Sequence, residues 1–498
     1  MGLSTTQDAE QQRAFEELKN SIGPRSTIIL PEDSNYNDSK RIWNAMFDNK
    51  NPSIILQATG VADVQVAIHY AQRVGVVVTP RGGGHSWAGF STVEGGVVID
   101  FCKMRSVHVD PILQTVTVEP GVLLGELDHE TQAFGLAVPV GVISHTGVFG
   151  LVLGGGVGWL CRKYGGSVDN IISANIVLAD GRFVKASKTE NADLFWAIRG
   201  AAQNFGIVTS LTIQAHPVGL AYRGSYVSTE LHRSPSHLIQ FYPMDQIEEV
   251  LHAINEFQKT APREYNCEVY NRGRIDGSSE MFLKICYSFY LPQEEAEKAA
   301  EPLKEIGRPI EHSWKWITHV ENQKIFDMES PHHRRYYAKS GSINFDDMNS
   351  HFVDAFKWGV ANLTSPYCMV EMIGLGGAMK DSSAEHAAFF PLRSQDWLVN
   401  VVASWNNDVP AEEDQKHIEW CRESFQRLHT KNPGYINMFA DACRDTMQER
   451  LSRAFGNNLN QLRLVKRRYD PYNFFRHNVN VLPATDEDLE TESTFSNE

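Results

Sequence analysis

Apolar and polar positions follow two different rhythms along this 498-residue chain. Residues 1–22 are polar with a helical spacing and predict a lead-in helix. From there to residue 217, short apolar runs and helical periods interleave. Ser53 to Gln57, Val76 to Pro80, Val97 to Phe101 and Val116 to Val118 read as strands, the last ending in the Pro120-Gly121 turn. Val61 to Gln72 has the spacing of an amphipathic helix, and Leu123 to Phe134 reads as a helix stopped by Gly135. After His216-Pro217 glycine thins out. Longer helices (Met244 to Thr260, Gln293 to Ile306) then alternate with strands at Met281 to Tyr290, Met369 to Leu375 and Trp397 to Ala403. Helical periods return at Arg444 to Phe455 and Leu462 to Tyr469. The pattern predicts an α+β chain of two domains: a lead-in over 1–26, a first domain over 27–217, a second over 218–439, a segment at 440–484 that completes the first, and a disordered acidic tail at 485–498.

Chemistry concentrates in the glycine-rich turns. Arg81-Gly82-Gly83-Gly84-His85-Ser86-Trp87 exposes successive backbone N–H groups able to cradle a pyrophosphate. It lies between two apolar runs, which predicts a tight strand-to-strand connection rather than the strand-to-helix turn of a Rossmann site. The segment from Gly141 to Trp159 is a second glycine-rich stretch, with side chains excluded as a large flat or charged ligand would demand. Other chemistries find little support. Gly154-Gly155-Gly156-Val157-Gly158 does not meet the dinucleotide fingerprint, no Gly-x-Ser-x-Gly elbow is present, and the adjacent His332 and His333 point different ways on a strand, with no metal-site spacing nearby.

Charge and composition narrow the partners. A net charge of -15 argues against nucleic acid or an anionic membrane. Lys466-Arg467-Arg468 reads as a solvated helix end. Seven cysteines without a CxxC pair favour free thiols in a reducing compartment. The start lacks the pattern of a secretion signal and no run approaches the roughly 20 apolar residues of a membrane span, so the expected location is the cytoplasm.

Two further blocks, Leu194 to Gly200 with Asn204 to Thr209, and Tyr469 to Val481, follow in order. Together the four blocks resemble the FAD-linked oxidases of the vanillyl-alcohol oxidase superfamily, with the PCMH-type FAD-binding fold, and within it the berberine bridge enzyme-like branch and its microbial members. The resemblance runs from about residue 27 to about 484 and is weakest in the middle. It implies a second domain of antiparallel sheet plus helices that holds the substrate. It implies FAD held by Arg81, Gly82, Gly83, Gly84, His85 and Ser86, by Gly141, Val142, Thr146, Gly147, Gly150 and Gly155, and by Gly206, Ile207, Asn478 and Asn480. His85 falls where the family carries a covalent bond to the flavin 8α-carbon. Many relatives add a cysteinyl link at the position of Ile143, so a single link is expected here. Thr146 falls where the family tunes oxygen access, and its small side chain leaves that path open.

Hydride removal is helped by a base that takes the neighbouring O–H or N–H proton. Met369, Glu371, Ile373 and Leu375 alternate along one strand face, and Glu371 is the ionisable member. It reads either as that base or as half of a salt bridge at the domain boundary. Tyr435 and Asn437 share a face of a second extended segment, and Tyr337 with Lys339 form a third candidate wall. Plant relatives place a catalytic tyrosine where this chain has Met438, so their base does not carry over. The expected activity is oxidation of a small organic alcohol, sugar or amine with O2 as acceptor. A non-redox catalyst on the same fold and a dehydrogenase with another acceptor stay open, as does the oligomeric state.

Overall fold

The short apolar runs at the start of the chain pair into a four-stranded sheet in the order Thr27–Ile29, Ile54–Gln57, Val97–Asp100 and Val78–Arg81. The computed structural model of the chain describes residues 2–225, 240–273, 281–309, 313–382, 386–388, 392–430, 432–434, 451–452 and 455–488. Val78–Arg81 and Val97–Asp100 run parallel. Residues 82–96 must therefore carry the chain back along the whole strand. The glycine loop is thus part of a long crossover, not the tight connection predicted. Helix Val61–Val74 covers this sheet and ends at Gly75, whose φ of 78° suits a residue without a side chain. The lead-in helix Gly2–Ser21 packs on it, with Leu18 in the shared core and Arg73 paired to Glu10 and Glu17.

A second sheet is antiparallel throughout, in the order Val107–Asp110, Thr115–Val118, Ile207–Gln214, Ile171–Val177 and Phe183–Ser187. Helices Leu124–Gln132 and Ala192–Ala201 share its core with Leu462, Val465, Tyr469, Val479 and Val481 from the end of the chain. The last segment is anchored by Lys466, which is fully buried rather than solvated. Its ammonium pairs with Asp470 at 2.7 Å and donates to the carbonyls of Asn204 and Phe475. A cation enclosed this way needs both its counter-charge and its acceptors, and both are supplied. The predicted disordered tail is also ordered at its start. Asp488 accepts from Thr485 N and Oγ1 and pairs with Arg463, while 489–498 lie outside the described residues.

After Pro217 the chain builds one large antiparallel sheet. Its order is Ser313–Ile317, Ala221–Ser225, Met281–Phe289, Tyr265–Gly273, Met369–Gly374, Trp397–Trp405, Arg335–Ile343 and Asn432–Pro433, with Gln240–Pro243 also pairing to Met281–Phe289. Helices Ile247–Thr260, Gln293–Lys304, Ser350–Ala361 and Asp414–Arg427 contribute Val250, Leu303, Phe356 and Trp420 to the core on one face. The other face meets the first half of the molecule, where Tyr270 and Phe326 pack with Trp159. Hydrogen-bonded ties cross this boundary. Arg393 grips Asp169 with two bonds of 2.6 and 3.1 Å, Asp327 accepts from Ser144 N at 2.8 Å, and Asn44 exchanges hydrogen bonds with both backbone groups of Tyr336. The architecture is α+β, with an antiparallel sheet and helices forming the second half, as the sequence predicts.

Candidate active site

A cavity of about 370 Å³ lies between the two halves. Its first wall is built from the crossover loop Gly82 to Trp87 and from the Gly141 segment. These two loops touch backbone to backbone: a Cβ on Gly83 would stand 2.5 Å from Gly147 N, and one on Gly82 would stand 2.5 Å from Pro120 O. Glycine is required here first by loop-on-loop packing. At Gly150 the added carbon would meet nothing within 4 Å, and at Gly84 only Arg81 carbons at 3.8 and 3.9 Å. Glycine at 150 keeps the cavity itself open, while Gly84, with a φ of 67°, is what the turn of the backbone requires.

Gly82, Gly83, Gly84, His85 and Ser86 all line the cavity, as do Gly141, Val142, Thr146, Gly147, Gly150, Gly206 and Asn478. Four other predicted cofactor residues stand behind the wall. Arg81 forms a buried ion pair of 2.7 Å with Asp100 and so fixes the root of the loop. Gly155 accepts from Val168 N in a turn with φ of 128°. Ile207 packs in the core of the first sheet between Gly206 and Val208, which do line the cavity. Asn480 lies just past the lining residue Asn478.

His85 is stacked on Trp43 at 4.0 Å between centroids, and Trp43 is stacked in turn on Tyr336 at 3.8 Å. His145 and His332 stand 5.1 and 6.3 Å from the His85 ring. Burial, and then these two imidazoles, push its pKa well below the usual histidine value. The ring is therefore neutral, and its Nε2 is buried without a hydrogen-bond partner among the described residues. His332 is itself pushed down to about 4, by burial first. No group of three metal-ligating side chains occurs among the described residues.

These features test the fit of FAD. The N–H groups of Gly83, Gly84 and His85 donate to no acceptor among the described residues. Ser91 Oγ and Asn478 Oδ1, on residues that line the cavity, are also buried without partners among the described residues. Buried polar groups are seldom left unpaired. A row of free amides, a neutral imidazole and open space at two glycines suit a flat ligand with a pyrophosphate. The residues fit the cofactor.

The opposite wall belongs to the large sheet. Met369, Glu371 and Ile373 line the cavity together, as alternation on one strand requires. Leu375 does not join them. The strand ends at Gly374, and Leu375 turns into a core with Val157 and Leu398. Glu371 accepts a hydrogen bond of 2.8 Å from Asn400 Nδ2 on the neighbouring strand, and no cation pairs with it among the described residues. Burial, with a contribution from Glu329, raises its pKa above the ordinary carboxylate value. Tyr270, Phe326, Glu329, Ser330 and Val402 complete this wall.

Tyr337 is a correction. Its neighbour Tyr336 faces Trp43, so Tyr337 points to the opposite side of the sheet. There its hydroxyl accepts from Arg422 Nε at 3.0 Å on the helical layer, and Lys339 lies over its ring. Tyr435 and Asn437 lie outside the described residues. Sequence reasoning missed Trp43, His145, His332 and Asn400 as parts of the site. Asn400 did carry a signal, being the one polar residue in the apolar run from Trp397 to Ala403. The described cysteines are free, and Cys161 donates to Gly156 O away from the Ile143 position.

Comparison with known proteins agrees with this geometry. The FAD binding domain family matches residues 52–187, and the family described as berberine and berberine like matches residues 434–482. An FAD-linked oxidoreductase of Dictyostelium discoideum is 29% identical over 91% of this chain and 93% of its own length. The (R)-6-hydroxynicotine oxidase of Paenarthrobacter nicotinovorans is 28% identical over 94% and 98%, and a carbohydrate oxidase of Microdochium nivale is 28% identical over 87% and 88%. The crystal structure of 6-hydroxy-D-nicotine oxidase from Arthrobacter nicotinovorans superposes with a TM-score of 0.81 at 24% identity, covering 93% of this chain and 99% of that one. The BBE-like 1 protein of Physcomitrella patens superposes with a TM-score of 0.79 at 22% identity, covering 95% and 99%. With an FAD binding domain match over residues 52–187, a berberine-like match over 434–482 that supplies His477 and Asn478 to the same cavity, and relatives that align along nearly the whole chain, the protein is an FAD-binding oxidoreductase similar to the berberine bridge enzyme-like oxidases.

Proposed function

We propose that the protein is an oxidase of a small organic alcohol, sugar or amine, with its FAD bound covalently through His85. The observation that carries this reading is Glu371: a half-buried carboxylate on the wall of the cavity that the His85 loop also lines, held by Asn400. When bound, FAD accepts a hydride from the substrate carbon and passes the electrons to O2, giving H2O2.

The chain's own residues do the rest. Glu371 takes the O–H or N–H proton beside the reacting carbon, and its raised pKa makes it a stronger base than an exposed carboxylate. Asn400 fixes the carboxylate through one oxygen. Tyr270, Phe326, Met369 and Ile373 form apolar surface around it and exclude water. The neutral His85 ring offers the lone pair that covalent attachment needs, and Trp43 and Tyr336 hold its plane. Thr146 keeps the approach of oxygen open. Acid precipitation tests the attachment: yellow colour should stay with the wild-type protein and be freed from His85→Ala. Steady substrate-dependent peroxide release tests the oxidase. A protein that turns over without consuming oxygen would refute that part.

A further inference from the structure

Three histidines from distant stretches of the chain meet beside the cavity. His85 lies on the crossover loop, His145 on the Gly141 segment and His332 in the turn that leads into the strand Arg335–Ile343. That turn is pinned to the first half of the molecule: His333 N donates to Trp43 O at 2.9 Å, and Trp43 Nε1 donates to Ser330 O at 2.8 Å. His145 is fixed from the other side, because Ser144 N and Oγ both donate to the Asp327 carboxylate. Ring centroids are 5.1 Å apart from His85 to His145 and 4.8 Å from His145 to His332, against 6.3 Å from His85 to His332. Imidazoles at such spacing can turn nitrogens to within about 3 Å of each other, the length of a hydrogen bond. His145 is therefore the middle member. The groups acting on each ring differ. His85 feels the two other imidazoles and no carboxylate, and His332 feels His145 and His333. His145 alone has a counter-charge, the Asp327 carboxylate, together with a hydrogen bond to the Asp327 backbone. Its Nδ1 is buried without a partner among the described residues, so Nε2–H makes the bond to Asp327 and Nδ1 is left as a lone pair. His332 is open to solvent, and neither it nor His145 lines the cavity.

Covalent attachment asks for such a base. A neutral imidazole carries one N–H, and when its other nitrogen bonds carbon the ring becomes a cation that must lose that proton. Burial among imidazoles, with no carboxylate acting on it, makes a lasting cation at His85 costly. We propose that His145 takes the proton His85 sheds on bonding to the flavin and that His332 hands it to solvent. His145 acts through His85 and is a positioning residue, since it does not line the cavity. Attachment releases one hydrogen of the 8α-methyl group and one of His85 as protons and forms an N–C bond. The electron pair released stays on the flavin, and O2 takes it with two protons to give H2O2. Asp327 steadies the imidazolium that His145 becomes, and His332, pushed down to about 4, does not retain the proton. This inference rests on the covalent reading of His85 proposed above.

The test measures how much yellow colour stays with acid-precipitated protein in variants isolated with FAD. Phenylalanine keeps a ring and removes the nitrogens, so His145→Phe should bind FAD but hold at most about a tenth of it covalently, against nearly all in the wild type. His145→Ala should show the same deficit, and free imidazole at about 0.1 M should restore attachment there over hours by filling the space of the lost ring. The restored rate should be greater at about pH 8 than at about pH 6, since only neutral imidazole accepts a proton. Imidazole should restore nothing when His85 is alanine as well. Full attachment in His145→Phe, no restoration by imidazole in His145→Ala, or loss of FAD from both variants would overturn the proposal; the last would make His145 a structural support of its loop. Full attachment in His332→Phe would overturn the part given to His332. A wild type that surrenders its flavin to acid would refute the covalent reading itself, whereas a covalent wild type beside a fully covalent His145→Phe would refute this inference alone.

Discussion

Replacing Gly83 by alanine puts a carbon where two backbones already touch. The added Cβ would stand 2.5 Å from Gly147 N, 2.7 Å from Gly147 Cα and 2.9 Å from the Leu123 side chain. Ordinary contacts between carbon and nitrogen or carbon lie near 3.5 to 4.0 Å, so one loop must retreat by about 1 Å. The leucine tip can swing aside, but Gly147 cannot, because it leads directly into the helix Val148–Val152 and Val148 N is bonded to Val122 O. Overpacking of this kind costs about 1–3 kcal/mol. For a unit of roughly 200 residues that is a fall of about 3–10 °C in melting temperature. Calorimetry on flavin-free protein measures it without interference from the cofactor. Gly147→Ala clashes with the same partner from the other side, so once the loops have parted the second alanine should cost much less than the first, and the double variant should be clearly sub-additive. Gly83→Ala melting within about 1 °C of wild type, or strict additivity of the pair, would show that the loops are not in contact and that glycine is kept there for another reason.

Other outcomes follow from the charged groups. Glu371 acts as a base only when ionised, so kcat/KM should fall as pH drops through its pKa, at a pH above the ordinary carboxylate range of about 4.3. Glu371→Gln should remove that limb and lower kcat/KM by about 10²–10⁴-fold in steady-state assays. Glu268 binds its proton more tightly folded than unfolded, so its contribution is favourable at low pH and is lost as pH rises through its folded pKa. The stability of wild type relative to Glu268→Gln should therefore decline by about 1.4 kcal/mol per pH unit above the unfolded pKa, read by urea denaturation across pH. A flat difference would show that Glu268 is ionised in the fold. Lys466→Met leaves Asp470 buried without its cation and should cost about 3–5 kcal/mol in the same assay; a neutral effect would mean that water reaches the pair.

The parts of the site that came through from sequence are those with a local pattern. Met369, Glu371 and Ile373 share the cavity wall because a strand repeats every two residues, and the run is polar enough at Glu371 to set its phase. The same logic failed for Tyr337. The strand Arg335–Ile343 is buried on both faces from its second residue onward, so its pattern holds no information about which side looks where. The glycine loops were found, but the reason for them was partly misread: Gly82, Gly83 and Gly147 serve contact between loops, and Gly150 serves the cavity. The crossover was misjudged because parallel pairing of Val78–Arg81 with Val97–Asp100 leaves no local mark. Trp43 reaches His85 from the stretch between the first two strands and His332 from the second half of the molecule, and nothing in a stretch of sequence announces contacts made over such spans.

The anchoring of the final segment sets the order in which the protein can be completed during synthesis. Asn204 donates to Val479 O and accepts from Val481 N, while Lys466 holds the Asn204 carbonyl from above. Each partner is separated from Asn204 by more than 260 residues of chain, all of which must leave the ribosome first. Domains that close over such distances fold late and slowly. The wall around Gln203 and Gly206 is therefore finished only once residues 466–481 have been made and have docked on Asn204. Cofactor capture must wait for that docking, and a stop placed before residue 466, which spares every residue of the glycine loops, should still yield colourless protein.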